Sequence, residues 1–258
     1  GFAGGFTGDE LERLLSERGI STKFIRLSGQ NTRINVKIHT REDTDINADG
    51  PMVGEADLAG IKGQLARLSN GDILVLSGNV PRSVPETIYG EFIKALTDKE
   101  IKVIVDASGD LLTNTLQYHP FLIKPNLCEL ARLFNREMEK IRDQSDKKFV
   151  YEYGQKLREM GALNVLVSLG ADGAVLFDEY GRIHELEAPE GEQINSVGAG
   201  DSMVAGFLTG FLETRDYEKA LHYGVCAGSA SAFSKELASF ETVKVLWEKD
   251  GLLSGDLK

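Results

Sequence analysis

The sequence predicts an α/β fold, with a mostly parallel central sheet, helices on both faces and a small β lid. Three observations carry this. Short apolar runs alternate with longer stretches whose apolar residues fall at helical spacing, the βαβα rhythm of a parallel sheet. The runs at 72–76, 103–105, 121–123 and 165–167 are rich in Val, Ile and Leu, as in strands buried on both faces. Glycine- or polar-rich segments follow several of these runs, where ligands bind beyond the carboxyl ends of such strands.

In chain order, residues 9–18 place Leu11, Leu14 and Leu15 at helical spacing and read as a helix. Residues 32–38 alternate Ile34, Val36 and Ile38 with polar neighbours, a half-exposed strand, and 44–47 reads as its partner. These lie in a lid region of about 22–47, expected to project as a small sheet. A helix at 55–68 leads to the strand at 72–76, a helix at 85–96 to the strands at 103–105 and 121–123, and helices at 127–134 and 149–160 to the strand at 165–167. Residues 174–177 and 182–186 read as an antiparallel pair around Glu179-Tyr180-Gly181, and the last quarter is helical. There is no internal repeat, low-complexity stretch or linker, so residues 1–258 read as a single domain.

Hydrophobic residues make up 41% and charged residues 27% of the 258, ordinary for a globular protein. The formal net charge of -11 disfavours nucleic acid and anionic membranes as partners. Cationic groups near any anionic substrate must then be placed individually. Cys128 and Cys226 form no C-x-x-C pair, which fits a reducing, cytoplasmic setting. His39, His119, His184 and His222 are scattered, which argues against a zinc site. No apolar run approaches the roughly 20 residues of a membrane span, and no secretory signal is visible.

The strongest local signal is Asn195-Ser196-Val197-Gly198-Ala199-Gly200-Asp201, running into the helical stripe Met203, Val204, Phe207, Leu208 and Phe211. A glycine-rich turn at a helix start offers backbone N–H groups and the positive end of the dipole to an anion such as phosphate. Asp201 within it is favoured in the ionised form and can accept a hydroxyl proton, or it is an ordinary capping residue. No Gly-Lys-Ser/Thr follows, and Met203 stands where a dinucleotide fingerprint has its third glycine.

Other segments admit two readings each. Ser168-Leu169-Gly170-Ala171-Asp172-Gly173 follows a strand and can approach a nucleotide closely, or it is a hairpin turn. Asn126 and Glu129 lie three apart at a helix start. They are oxygen donors of the kind Mg²⁺ prefers, or a helix cap with a solvated glutamate. The small residues 227–232, with Ala227 and Ser231, leave room for adenine or for close helix packing. Arg33, Asn35 and Lys37 share one side of a strand and suit a phosphate, or form its solvated face.

Asn-Ser-x-Gly-Ala-Gly-Asp opening a helix resembles the C-terminal signature of the PfkB (ribokinase-like) carbohydrate kinases. The resemblance implies that the backbone of Gly198, Ala199, Gly200 and Asp201 stabilises a γ-phosphoryl group while Asp201 activates the sugar hydroxyl. It implies that Ser168–Gly173, with Gly200, Asp201, Ala227 and Ser231, contact ATP, and that Asn126 and Glu129 hold Mg²⁺. The Thr32-Arg33-Ile34-Asn35-Val36-Lys37 stretch is similar to the lid strand of 1-phosphofructokinases, and Ser77-Gly78-Asn79-Val80-Pro81 to a Ser-Gly-Ser-x-Pro loop of that subgroup, with Asn79 in place of the commoner Ser. Arg33, Asn35, Lys37, Ser77 and Asp201 are thereby implied to bind fructose 1-phosphate. Tagatose-6-phosphate kinases keep the Thr-Arg and usually differ after it, so that activity is the nearest alternative. A non-catalytic nucleotide or sugar-phosphate binder is another. The family's lids pair across a homodimer or close over the sugar. Family members carry roughly fifty residues ahead of the segment matching Gly4–Gly8, with a strand, a substrate-binding Asp and a Gly-Gly-Lys-Gly-x-Asn signature. Their absence is expected to expose a sheet edge and weaken substrate binding.

Overall fold

The computed structural model describes residues 1–38, 44–136 and 147–249. In chain order the elements are β1 (Phe2–Ala3), α1 (Gly5–Glu17), β2 (Ile25–Arg26), β3 (Asn35–Ile38), β4 (Thr44–Asn47), α2 (Glu55–Leu65), β5 (Ile73–Ser77), α3 (Ile88–Lys94), β6 (Lys102–Asp106), α4 (Gly109–Thr113), β7 (Leu122–Ile123), α5 (Leu127–Leu133), α6 (Lys147–Glu159), β8 (Asn164–Ser168), β9 (Ala174–Phe177), β10 (Ile183–Leu186), α7 (Ala199–Thr214), α8 (Tyr217–Ala232) and α9 (Phe240–Lys249). The chain divides into two compact units: Gly1–Asp72 with Asn79–Ile101, and Ile73–Gly78 with the chain from Lys102 onward.

The first unit holds two small sheets. β1 and β2 pair in parallel, and β3 and β4 pair antiparallel with Val36 opposite Ile46. The expected strand at 32–38 begins only at Asn35. Thr32 is diverted to Gly4: its backbone N–H donates to the Gly4 carbonyl at 2.9 Å, and its hydroxyl accepts from the Gly4 N–H at 3.0 Å. Ile34, Val36, Ile38 and Ile46 are all exposed, so both sides of β3 are open rather than one, because a two-stranded ribbon alone has no layer to cover its apolar side. The first helix begins four residues before the expected 9–18, because Gly4 accepts a helical bond from Gly8 N–H.

The second unit carries a six-stranded sheet in the order β10-β9-β8-β7-β6-β5, flanked by helices. The pairs β5/β6, β6/β7 and β7/β8 are parallel, and β8/β9 and β9/β10 antiparallel. The mostly parallel α/β sheet is as the alternation of runs predicts. Ile104, Val105, Leu122, Ile123, Val165, Leu166 and Val167 are fully buried, as expected for strands covered on both faces. The run at 72–76 departs from that expectation. As β5 it is the outermost strand, and it alternates, with Leu76 buried and Val75 42% exposed.

Met203, Val204, Phe207 and Phe211 of α7 form a stripe that packs on Ile104, Phe121, Leu122, Leu166 and Leu176 of the sheet and on Leu221 and Val225 of α8. Burying such side chains contributes about 1.5–3 kcal/mol each. This stripe anchors α7, and so fixes where its first turn lies. α8 approaches α7 almost backbone to backbone. A methyl at Gly206 would stand 2.5 Å from the Tyr223 carbonyl oxygen, and one at Gly228 would stand 3.2 Å from that of Ala199. Trp247 of α9 closes the outer side of α8 against Tyr223, with ring centroids 3.6 Å apart.

Candidate active site

Parallel strands end on one side of a sheet, and here those ends carry polar residues. β5 ends in Ser77 and β6 in Asp106, opposite one another in register. Lys124 follows β7 and Ser168 ends β8. The start of α7 comes to the same place. Its cap residue, Gly198, has φ 79°, a left-handed conformation that glycine adopts without strain, and an added methyl would meet Leu237 at 2.5 Å. Asp201 sits in the first turn, exposed, where the helix dipole favours a negative charge. Its Oδ1 accepts a hydrogen bond from the Ser77 hydroxyl at 3.1 Å. Ser77 and Asp201, both picked out in the sequence, are thus brought together across 124 positions of chain.

Beside them lies a pair that sequence reasoning did not select. Lys124 is only 5% exposed, and its Nζ stands 3.1 Å from Asp106 Oδ1. Burial pushes the Asp106 carboxyl above its ordinary range. The Lys124 ammonium opposes that rise, and the Asp201 charge adds to it. Gly200 closes the group, since a methyl there would stand 3.1 Å from Lys124 Nζ. The available signal was local. A lysine directly follows the apolar run 121–123, and an aspartate directly follows the run 103–105.

Asn126 and Glu129 form a reciprocal cap on α5. The Glu129 N–H donates to Asn126 Oδ1, and the Asn126 N–H to Glu129 Oε2, each at 2.8 Å. The capping reading therefore holds for this pair, whatever else it does. The cap uses one of the two glutamate oxygens. Among the described residues no group of three or more His, Cys, Asp or Glu is placed to hold a metal ion.

The segment Ser168–Gly173 forms a tight turn at Gly170–Asp172, with Leu169, Ala171 and Asp172 at its rim. Gly173 has φ 88°, and a methyl on it would lie 2.0 Å from the Leu186 carbonyl oxygen, so the hairpin itself requires glycine there. Ala227 and Ser231 lie on α8, both buried. The Ser231 hydroxyl bonds the Ser202 hydroxyl at 2.8 Å and accepts from the Ala238 N–H at 3.1 Å. The small residues at 227–232 thus at least allow close helix packing, with Gly228 facing the Ala199 carbonyl oxygen. Arg33, Asn35 and Lys37 belong to the first unit, where Arg33 Nε donates to Asn35 Oδ1 at 2.7 Å and precedes the strand rather than lying in it.

A parallel sheet that gathers a carboxylate, an ammonium and a glycine-cradled helix start at one end places the molecule among α/β enzymes that handle phosphorylated substrates. Residues 1–242 match the model of the pfkB family carbohydrate kinases, and the chain belongs to that family. It is 40% identical over 246 residues to a 1-phosphofructokinase of Bacillus subtilis, spanning 95% of this chain and 78% of the relative. It is 35% identical over 237 residues to a D-tagatose-1-phosphate kinase of Bacillus licheniformis, spanning 92% and 76%. The structure of the tetrameric inhibited form of phosphofructokinase-2 from Escherichia coli superposes with a TM-score of 0.84 at 30% identity, covering 96% of this chain and 79% of that one. The chain is therefore a sugar-phosphate kinase with a ribokinase-like fold, and ATP is the phosphoryl donor the family implies. Among the described residues no helix is long and apolar enough to cross a membrane.

Proposed function

We propose that this kinase transfers the γ-phosphoryl group of Mg·ATP to the C6 hydroxyl of fructose 1-phosphate, with Asp201 as the base. The observation that carries the assignment is the Ser77–Asp201 hydrogen bond. The carboxylate at the start of α7 already accepts a hydrogen bond from a hydroxyl at 3.1 Å, the arrangement a sugar hydroxyl needs before attack. Deprotonation readies the hydroxyl oxygen, and the N–H groups of Gly198, Ala199, Gly200 and Asp201 offset charge on the phosphoryl oxygens. Ser168–Gly173 forms the rim for the nucleotide phosphates and ribose, and the α8 segment with the buried small side chains of Ala227 and Ser231 backs the adenine. Arg33, Asn35 and Lys37 take the sugar phosphate.

When bound, Mg²⁺ would neutralise charge on the nucleotide phosphates. Asn126 and Glu129 fit such an ion through water, because their cap leaves Glu129 Oε1 outside it. Names of relatives support a ketose 1-phosphate as acceptor. For that reason D-tagatose 1-phosphate is the second reading, in place of the tagatose 6-phosphate suggested by the lid strand alone. The exposed apolar residues Ile34, Val36, Ile38 and Ile46 support a homodimer paired through the lid, acting in the cytoplasm on small phosphorylated sugars.

Coupled ADP release with fructose 1-phosphate, tagatose 1-phosphate and fructose 6-phosphate as separate acceptors tests this. Turnover is expected to be fastest with fructose 1-phosphate, to stop on chelation of Mg²⁺, and to fall at least ~100-fold in Asp201→Asn. No turnover with any acceptor, or an Asp201→Asn variant as fast as wild type, would sink the proposal.

A further inference from the structure

On the reading of the α7 start as the phosphoryl-transfer site, we propose that Ser77 is a modification site: with ATP bound and no sugar present, the enzyme transfers the γ-phosphoryl group to its own Ser77 hydroxyl. Ser77 Oγ donates to Asp201 Oδ1 at 3.1 Å, so a hydroxyl of this chain already stands where the acceptor hydroxyl of a substrate must stand. Of the two carboxylates at this place, Asp106 pairs with Lys124 Nζ at 3.1 Å, and the hydroxyl turns to Asp201. The strand ends hold it there. Ser77 closes β5, in register with Asp106 of β6. The next residue, Gly78, has φ 82° and donates its N–H to the Asp106 carbonyl oxygen at 2.9 Å. A reacting group fixed in this way acts at an effective concentration far above that of a group in solution. Ser77 and Asp201 are both exposed, so a bound nucleotide can reach them.

The step balances as transfer to a sugar does. Ser77 Oγ forms a bond to the γ-phosphorus while the bond from that phosphorus to the β,γ-bridging oxygen breaks. The bonding pair leaves with ADP, and the hydroxyl proton passes to Asp201. A sugar hydroxyl and Ser77 need the same carboxylate, so a bound sugar displaces Ser77 from Asp201 and takes the phosphoryl group in its place. Self-modification is thereby confined to enzyme that holds ATP without an acceptor. The phosphoserine formed carries a charge of about −1.5 to −2 at pH 7. It stands beside Asp201 and repels an incoming sugar phosphate, so the modified enzyme is shut.

The test incubates the full chain with Mg²⁺ and ATP radiolabelled in its γ-phosphate, with and without fructose 1-phosphate, and maps the label by peptide mass spectrometry. Without sugar, label should climb toward one phosphoryl group per chain, in the peptide that holds Ser77. Turnover measured after dilution into fructose 1-phosphate should fall in proportion to the label. With fructose 1-phosphate present at about ten times its half-saturating concentration, labelling should slow about tenfold, because the sugar occupies the shared carboxylate. Ser77→Ala and Asp201→Asn should each take up no label. A wild type that turns over a sugar phosphate yet gains no label in its absence refutes the modification alone. Label on another residue, label retained by Ser77→Ala, or labelling unmoved by fructose 1-phosphate would overturn it too. A wild type that neither turns over any sugar phosphate nor takes up label refutes the kinase reading and this one with it. Should either variant fail to fold, the mapped position of the label in the wild type decides.

Discussion

Replacing Gly206 by alanine tests the contact that holds α7, and hence Asp201, in place. The new methyl would meet the Tyr223 carbonyl oxygen at 2.5 Å and the Ala227 methyl at 2.7 Å. One of these atoms is backbone and the other is a side chain without rotamers, so neither can swing aside. Restoring an ordinary separation of about 3.5 Å requires the two helices to part by about an ångström, and a gap of that size forfeits a quarter to a half of the dispersion energy of neighbouring contacts. Those neighbours are nearly as close. Methyls at Gly210 and Gly224 would stand 2.8 Å from Tyr223 and 3.0 Å from the Met203 carbonyl oxygen. Overpacking costs about 1–3 kcal/mol. Helix preference for alanine over glycine returns about 1 kcal/mol. The net loss is then about 0–2 kcal/mol, or roughly 2–4 °C in Tm for each kcal/mol in a chain of this size. Thermal and urea unfolding followed by circular dichroism measure it, beside Gly63→Ala in α2, where a methyl meets nothing within 4 Å. The control should gain up to about 1 kcal/mol. If both variants are stabilised alike, helix propensity governs both sites and the tight α7–α8 contact is refuted.

Asp178 gives a pH-dependent prediction. Its fully buried carboxylate accepts from Arg182 Nε and the backbone N–H groups of Tyr180 and Arg182, and pairs with His184 Nε2, each at 2.9 Å. Burial alone would raise its pKa, but these bonds outweigh burial and hold it below the ordinary value of 3.8. The unfolded chain therefore binds the proton more readily, so the stabilisation is present above pH 3.8 and is lost as pH falls through the lower native value. Asp178→Asn should cost about 1–3 kcal/mol near neutral pH, with the gap to wild type narrowing in urea titrations as the pH drops below that ordinary value. A gap that stays constant into acid would refute the account. For the lid, sedimentation velocity should give twice the chain mass at micromolar concentration, and Ile46→Asp should shift it to the monomer. A wild type that is monomeric throughout would remove the lid-paired homodimer.

Much of the fold was legible because the strands that build the sheet are the ones most deeply buried. Runs such as 103–105 and 165–167 consist of residues that water excludes from both faces, and they locate β6 and β8 to within a residue at either end. β1 and β2, at two residues each, are too short to show a period, and α4, at five, shows no helical stripe, so none of the three could be read. The error at β5 has the same root. Composition reports that a run is apolar, whereas its position at the end of the strand order decides how many faces are covered.

The site divides along the same line. Asp201 was legible because a glycine-rich turn, a carboxylate and a helical stripe are all local, and Gly198 does adopt the left-handed conformation that such a turn uses. Asn126 and Glu129 were legible as a pair because three residues at a helix start is also a local relation, and the structure shows it as a cap. Lys124 and Asp106 stand 18 positions apart, and each alone reads as the polar end of a strand. What joins them is register. β6 lies beside β7 with Ile104 opposite Leu122 and Val105 opposite Ile123, so the next residue on each strand is the aspartate and the lysine. The sequence contains both residues but not that pairing. The buried ammonium that results is therefore visible only once the strands are placed side by side.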